Sequence, residues 1–302
     1  MQPSTPIYQF SSTSPYSGLI LKREDLSRVG SHKFRYFGPQ MKKLATAGVK
    51  NIVISTTGNA GITASFLGKQ LGIEVYCLMS DKGDLKKAAE IQRHGGKIFL
   101  STRPVRFAKY LAKKLNCPLL KTSKDGAESY QTLGEEFMLQ IPNLDIIVNF
   151  ATSGTSSVGI MQAYQKAGKT LPELHIVQAG KSCSIAREFL KDEEVEWEEG
   201  VGLADTPRRE EVLKWIMKSG GAAHYVAKEK YEKACKELKG LDLETSWEGA
   251  ACFWVAKEEI LKKNPGQTVG IVFSGRAWDE NTKSDFKTVE SVKEVDEMIR
   301  FL

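Results

Sequence analysis

Asn51-Ile52-Val53-Ile54-Ser55-Thr56-Thr57-Gly58-Asn59-Ala60-Gly61-Ile62, running on to Gln70, decides the fold. Asn51–Ser55 is a short β-branched apolar run of the kind buried on both faces of a parallel sheet. A polar, glycine-containing turn follows, and Ile62 to Gln70 then reads as a helix. Strand, turn and helix in that order make one unit of an α/β layer fold.

The same order recurs outward from this stretch. On the C-terminal side, Glu74–Met79 and Lys97–Leu100 read as strands, and Gly83–His94 and Val105–Leu115 as helices. A second series has helix Tyr130–Gln140, strand Asp145–Phe150, turn Ala151–Gly159, helix Ile160–Gly168 and strand His175–Ala179. Pro207–Lys218 and Lys228–Lys239 read as amphipathic surface helices, and Glu248–Lys263 as a helix rich in small residues. Val269–Phe273 is read as the last strand, ending at Ser274-Gly275-Arg276. On the N-terminal side, Phe37–Ala47 has helical spacing with Gly48 as its stop, which places Lys33 at or near a helix start. The pattern predicts an α/β protein with mostly parallel sheets in two lobes: residues 51-130 form the smaller, movable lobe, and residues 1-50 with 131-302 the larger. The acidic run Asp192–Glu199 is read as a solvated loop without chemistry.

With 302 residues, 41% hydrophobic and 26% charged, the chain has an ordinary globular composition, which excludes disordered and fibrous classes. The net charge of +6 is spread among interleaved acidic residues, as in Lys228-Glu229-Lys230, so no nucleic-acid partner is expected. Cys77, Cys117, Cys183, Cys235 and Cys252 lack Cys-x-x-Cys spacing, which argues against disulfides or a metal site and for a reducing, cytoplasmic location. Neither a signal segment nor a membrane-spanning run is expected.

Three turns and one lysine carry the candidate chemistry. The turn with Ser153, Gly154, Thr155 and Ser156 follows a strand and opens a helix, so its N–H groups and hydroxyls suit an anion, phosphate first, or simply cap the helix. Thr56, Thr57, Asn59 and Ala60 stand in the same context, suited to a carboxylate or to plain capping. Ser274 lies at the carboxyl end of a strand, where α/β sheets place ligand contacts. Lys33 is either a solvated helix lysine or, once desolvated, an amine nucleophile toward an aldehyde. Amine, phosphate cradle, carboxylate cradle and strand-end hydroxyl together answer the needs of pyridoxal 5′-phosphate with a small amino-acid substrate.

In this light Lys22-Arg23-Glu24-Asp25-Leu26 with Gly30-Ser31-His32-Lys33, Thr56-Thr57-Gly58-Asn59, Ser153-Gly154-Thr155-Ser156 and Ser274 resemble, in order, the motifs of the tryptophan-synthase-β superfamily. These are the fold type II pyridoxal-phosphate enzymes, and the resemblance runs from Thr5 to Arg276. It implies that Lys33 holds the cofactor aldehyde, that Thr56–Ala60 bind the substrate carboxylate, with Asn59 also contacting the cofactor, and that Ser153–Ser156 hold the phosphate. Ser274 would partner the pyridine nitrogen, and a homodimer is the expected assembly.

The resemblance also frames the reaction. A serine beside the pyridine nitrogen leaves the ring largely unprotonated, which suits elimination or replacement at the β-carbon. Lys33 would take the Cα proton before the β-leaving group departs. Thr57 stands where serine racemases place a serine for the second face, which argues against efficient racemisation. No Glu precedes Thr56, which argues against tryptophan synthesis. The expectation is a serine or threonine dehydratase-like lyase without a regulatory C-terminal domain. Threonine synthase and a cysteine-synthase-like β-replacing enzyme are the alternatives, and a non-catalytic cofactor or amino-acid sensor is the reading of another class. A dinucleotide oxidoreductase would need a G-x-G-x-x-G fingerprint, which is not found.

Overall fold

The computed structural model describes residues 4–121, 126–180, 183–190, 206–278 and 286–300, and the acidic run Asp192–Glu199 lies outside them. In chain order the elements are β1 (Ile7–Gln9), β2 (Leu19–Lys22), α1 (Phe34–Thr46), β3 (Asn51–Ser55), α2 (Asn59–Leu71), β4 (Glu74–Ser80), α3 (Leu85–Arg93) and β5 (Lys97–Ser101). There follow α4 (Pro104–Lys114), β6 (Leu119–Leu120), α5 (Ala127–Gln140), β7 (Ile146–Phe150), α6 (Thr155–Lys166), β8 (Glu173–Gln178) and α7 (Arg209–Ser219). The remainder is β9 (Ala223–Tyr225), α8 (Lys228–Gly240), α9 (Trp247–Val255), β10 (Val269–Val272), β11 (Lys287–Thr288) and α10 (Val292–Arg300). Among the described residues, no helix is long and apolar enough to cross a membrane.

The chain divides into two units. One comprises residues 33–121 and those from 278 onward, and its sheet has the order β11-β5-β4-β3-β6 with every pairing parallel. Val53, Tyr76, Leu78, Phe99, Phe107 and Leu111 form a core on one face of that sheet. Val289 and Val295 from the end of the chain pack into the same core. Helix starts follow local chemistry: the Asp84 carboxylate accepts from the Lys86 N–H at 3.0 Å, and Pro104 begins α4, where a missing N–H costs nothing.

The other unit comprises residues 3–32 and 122–277, and its sheet has the order β1-β2-β10-β7-β8-β9, antiparallel only between β1 and β2. Both faces are covered. Ile146 and Val148 of β7 join Leu21, Phe253 and Phe273 in one core, while Ile147 joins Phe137, Ile160 and Val272 in the other. Two-sided burial is the physical reason these strands read as unbroken apolar runs.

Two features differ from the sequence expectation, and a third lay outside it. The helix expected over Glu248–Lys263 is α-helical only to Val255 and then widens into a π-helical segment, Ala256–Leu261. Val269–Val272 is not the last strand, because Lys287–Thr288 pairs with Phe99–Leu100. Lys287 and Thr288 are both exposed, so this edge strand carries no apolar pattern to read. Strand β2 ends in a lysine, Lys22, that is fully buried.

Candidate active site

The charged run that opens the lysine motif is a brace. Lys22 Nζ lies 2.6 Å from each of three acceptors: the Thr5 carbonyl, Glu136 Oε2 and Gln140 Oε1. Three N–H groups thus meet three oxygens, which is what a buried ammonium requires. Arg23 binds Asp25 with two nitrogens, Nε to Oδ1 at 3.0 Å and Nη2 to Oδ2 at 2.8 Å, and Glu24 accepts from the Thr5 hydroxyl. Burial raises the Asp25 pKa above the usual carboxylate value in spite of Arg23.

This brace delivers the chain to Ser31 and His32, which close on the end of β10. The Ser274 carbonyl accepts from the His32 N–H at 3.0 Å, from His32 Nδ1 at 2.8 Å and from the Ser31 hydroxyl at 3.1 Å. Ser31 also bridges Gly275, and the Gly275 carbonyl takes the Thr245 hydroxyl at 3.0 Å and the Ser246 N–H at 2.8 Å. The carbonyls of Ser274 and of the residue after it are therefore both held. Lys33, the next residue after His32, is half-buried and opens α1, whose Tyr36 hydroxyl donates to the Lys121 carbonyl at 2.8 Å.

β7 and β10 are parallel neighbours, so the turn after Phe150 and Ser274 leave the same edge of one sheet. In that turn Gly154 has φ +76, and a Cβ there would lie 2.5 Å from Val212 Cγ2. Ser153 Oγ and Thr155 Oγ1 are 2.9 Å apart, and α6 begins at Thr155 without a side-chain cap. The Ser153 hydroxyl accepts from the Thr155 N–H at 3.4 Å, and the donors gathered at this helix start, hydroxyls and N–H groups, are those an anion needs. The structure brings Ser153, Gly154, Thr155, Ser156 and Ser274 into one unit.

Lys33, Thr56, Thr57, Asn59 and Ala60 belong to the other unit. The Thr56 hydroxyl accepts from the N–H groups of Gly58 at 2.9 Å and Gly61 at 3.0 Å, folding the turn back on the start of α2. Gly58 has φ +131, and a Cβ there would meet Lys87 Cδ at 2.3 Å. Asn59 Oδ1 is buried with no hydrogen-bond partner, α2 has no side-chain cap, and Thr57 is exposed. A buried amide oxygen without a donor is an invitation to a ligand.

Three further residues escaped the sequence reading. Lys87 of α3 is buried with its stem against Gly58. Gln178 at the end of β8 donates to the Ala151 carbonyl at 3.1 Å, fixing the residue that enters the Ser153 turn. Asn149 of β7 donates from Nδ2 to the hydroxyls of Ser156 at 3.0 Å and Ser157 at 2.9 Å. The available signal for Asn149 was a single polar residue inside Ile146-Ile147-Val148-Asn149-Phe150.

Two α/β units, strand-to-helix turns stocked with anion donors and a lysine at a helix start define the fold type II class of cofactor-dependent enzymes. The chain belongs to the pyridoxal-phosphate dependent enzyme family, whose model matches residues 2–275. The cofactor of that family is pyridoxal 5′-phosphate. A human serine dehydratase-like protein is 29% identical over 99 residues, which are 32% of this chain and only 30% of that protein. Among solved structures, a pyridoxal 5′-phosphate-dependent aspartate racemase aligns with TM-score 0.76 and 18% identity, covering 92% of each chain. Maize serine racemase aligns with TM-score 0.75 and 17% identity, covering 100% of this chain and 94% of its own. These structural likenesses establish the fold. The residues present fit the cofactor: the hydroxyls of Ser153 and Thr155 beside Gly154 are anion donors, and Asn59 Oδ1 is buried with no partner.

Proposed function

We propose that this protein is a lyase that removes the β-substituent and the amino group of a small L-amino acid such as serine or threonine, giving a 2-oxo acid and ammonia. The observation that carries the reading is Ser274, a neutral hydroxyl residue whose carbonyl is held by three donors at the end of β10. A hydroxyl there can serve the cofactor's ring nitrogen without fully protonating it, which favours loss of a β-substituent over transamination. The cofactor supplies the electron sink that makes the substrate Cα–H acidic.

The chain's own residues do the rest. Lys33 Nζ would hold the cofactor at its aldehyde, and the same amine, when free, would take the substrate Cα proton. Ser153, Gly154, Thr155 and Ser156 hold the phosphate with hydroxyls and the N–H groups that open α6. Thr56, Thr57, Asn59 and Ala60 receive the substrate carboxylate at the start of α2, and Asn59 also contacts the cofactor. We assign the working form as a homodimer on the family likeness.

Replacement at the β-carbon is the second reading, since the same proton abstraction precedes both outcomes, and a non-catalytic sensor is the third. The test is to load the purified chain with pyridoxal 5′-phosphate and supply L-serine, L-threonine, O-acetyl-L-serine or O-phospho-L-homoserine. Ammonia and 2-oxo acid from serine or threonine support the lyase. Turnover of only the activated substrates would make it a synthase. Binding that turns the protein yellow and is lost in Lys33→Ala, without turnover of any substrate, would make it a sensor.

A further inference from the structure

We propose that Asn149 is a positioning residue for the phosphate turn: its amide holds the hydroxyls of Ser156 and Ser157 as acceptors, leaving the Ser156 O–H to donate to the cofactor phosphate. The inference rests on reading that turn as the phosphate site.

Asn149 is 1% exposed in an otherwise apolar strand. A buried amide there opposes folding unless it is bonded, so its partners define its use. Its two Nδ2 hydrogens go one each to Ser156 Oγ and Ser157 Oγ, while Oδ1 has no partner. The opposite orientation of the amide would face the hydroxyls with oxygen and strand two N–H donors in place of one acceptor, which is the costlier arrangement. Gln178 shows the contrast: both ends of its amide are bonded, Nε2 to Ala151 and Thr206 and Oε1 to the N–H groups of Ile185 and Ala186. The position of Asn149 demands two donors and accepts the loss of one acceptor.

Each serine hydroxyl has one hydrogen to give and lone pairs to receive. Once a lone pair is engaged by Asn149, the hydroxyl rotor is turned and its hydrogen points elsewhere. Ser157 is completely buried, whereas Ser156, at the second position of α6, retains 8% of its surface. The Ser156 hydrogen is therefore the one presented beside the first-turn N–H groups, in the direction the helix dipole already favours for an anion. Gly154 is the one glycine between Ala151 and Val158, so hydroxyl donors supplement backbone N–H groups in this turn.

The test compares cofactor-stripped full-length wild type, Asn149→Asp, Asn149→Leu and Ser156→Ala in titrations with pyridoxal 5′-phosphate, with pyridoxal and with inorganic phosphate as competitor. Asp at 149 can only accept, so it draws the serine hydrogens inward and sets a negative charge behind the anion. The expected result is pyridoxal 5′-phosphate affinity weakened about tenfold or more in each variant, most in Asn149→Asp. Pyridoxal affinity should stay within about twofold, and phosphate should compete less well. Equal losses for both aldehydes, or unchanged pyridoxal 5′-phosphate affinity, would overturn the inference. Should the Asn149 variants fail to fold, Ser156→Ala alone decides on the same criteria, because it keeps the Asn149–Ser157 bond. A wild type that binds pyridoxal 5′-phosphate while the variants match it refutes this inference alone. A wild type that does not bind it refutes the underlying reading as well.

Discussion

The imidazole of His32 and the backbone carbonyl of Ser274 meet at 2.8 Å, so Nδ1 must carry a hydrogen, and the His32 N–H reaches the same oxygen at 3.0 Å. One residue of the lysine motif thereby grips the end of β10, although 242 positions separate the two in sequence. His32→Leu should remove the side-chain bond and lower stability by about 1–2 kcal/mol. It should also weaken cofactor binding, because it frees the residue before Lys33. His32→Asn, which can still donate, should recover part of both. Urea denaturation and cofactor titration of the two variants check this.

The fully buried Lys22 and the part-buried Glu136 should behave as a pair. Lys22→Met leaves a carboxylate facing the position of a lost ammonium and should cost about 3–5 kcal/mol. Lys22→Met combined with Glu136→Gln should recover much of the loss, because removing both charges removes the need for compensation. A double-mutant cycle in urea measures the coupling.

Gly154 and Gly168 separate backbone strain from crowding. Both have positive φ, +76 and +63, but a Cβ at Gly154 would lie 2.5 Å from Val212 Cγ2, whereas at Gly168 nothing lies within 4 Å. Gly168→Ala should cost only the left-handed conformation, about 1–2 kcal/mol. Gly154→Ala should cost more and should weaken phosphate-dependent cofactor binding, while Gly168→Ala should not. Denaturation midpoints and titrations with pyridoxal 5′-phosphate provide the comparison.

Stability should fall as pH drops, first through His175 below 6.5 and then through Glu259 below 4.5. His175 Nδ1 is 2.9 Å from His224 Nε2, His175 Nε2 is 3.3 Å from Glu173 Oε2, and His224 Nδ1 is 2.8 Å from Glu259 Oε2. Burial, then the charge of His224, lowers the His175 pKa below its ordinary 6.5, against an opposing pull from Glu173 and Glu259. The unfolded chain then binds this proton more readily, so stability is lost as pH falls through 6.5 toward the folded value. Burial raises the Glu259 pKa, but the bond and charge of His224, with Lys230 and Lys263, outweigh it and hold the net value below 4.5. That contribution is present above 4.5 and is lost as pH drops through the lower folded value. Both groups act in the same direction. His175→Gln should flatten the change in melting temperature between about pH 7.5 and pH 5.5.

The readable parts of this protein share a cause. Asn51–Ser55 and Asp145–Phe150 were legible as strands, and the residues after them as turns and helices, because two-sided burial leaves an apolar run and helix starts collect small polar residues. Elements without such local marks were missed. Lys287–Thr288 is an exposed edge pair, and the π-helical turn at Ala256–Leu261 interrupts a sequence that is helical by every local measure. Lys87 stands beside Lys86 with no local mark of burial, and its packing against Gly58 depends on how α3 lies over the turn.

The sequence by itself determined the α/β class, the order of the strand-to-helix turns and the residue types able to hold an anion, since each is written in neighbours a few positions apart. Only the tertiary structure decided that Lys22, Arg23, Glu24 and Asp25 brace the entry to Lys33, that His32 closes on Ser274, and that Asn149 turns the Ser156 and Ser157 hydroxyls. Those relations are set by the packing of separate strands and helices, where burial obliges each polar atom to find partners, and no local pattern along the chain records which ones it finds.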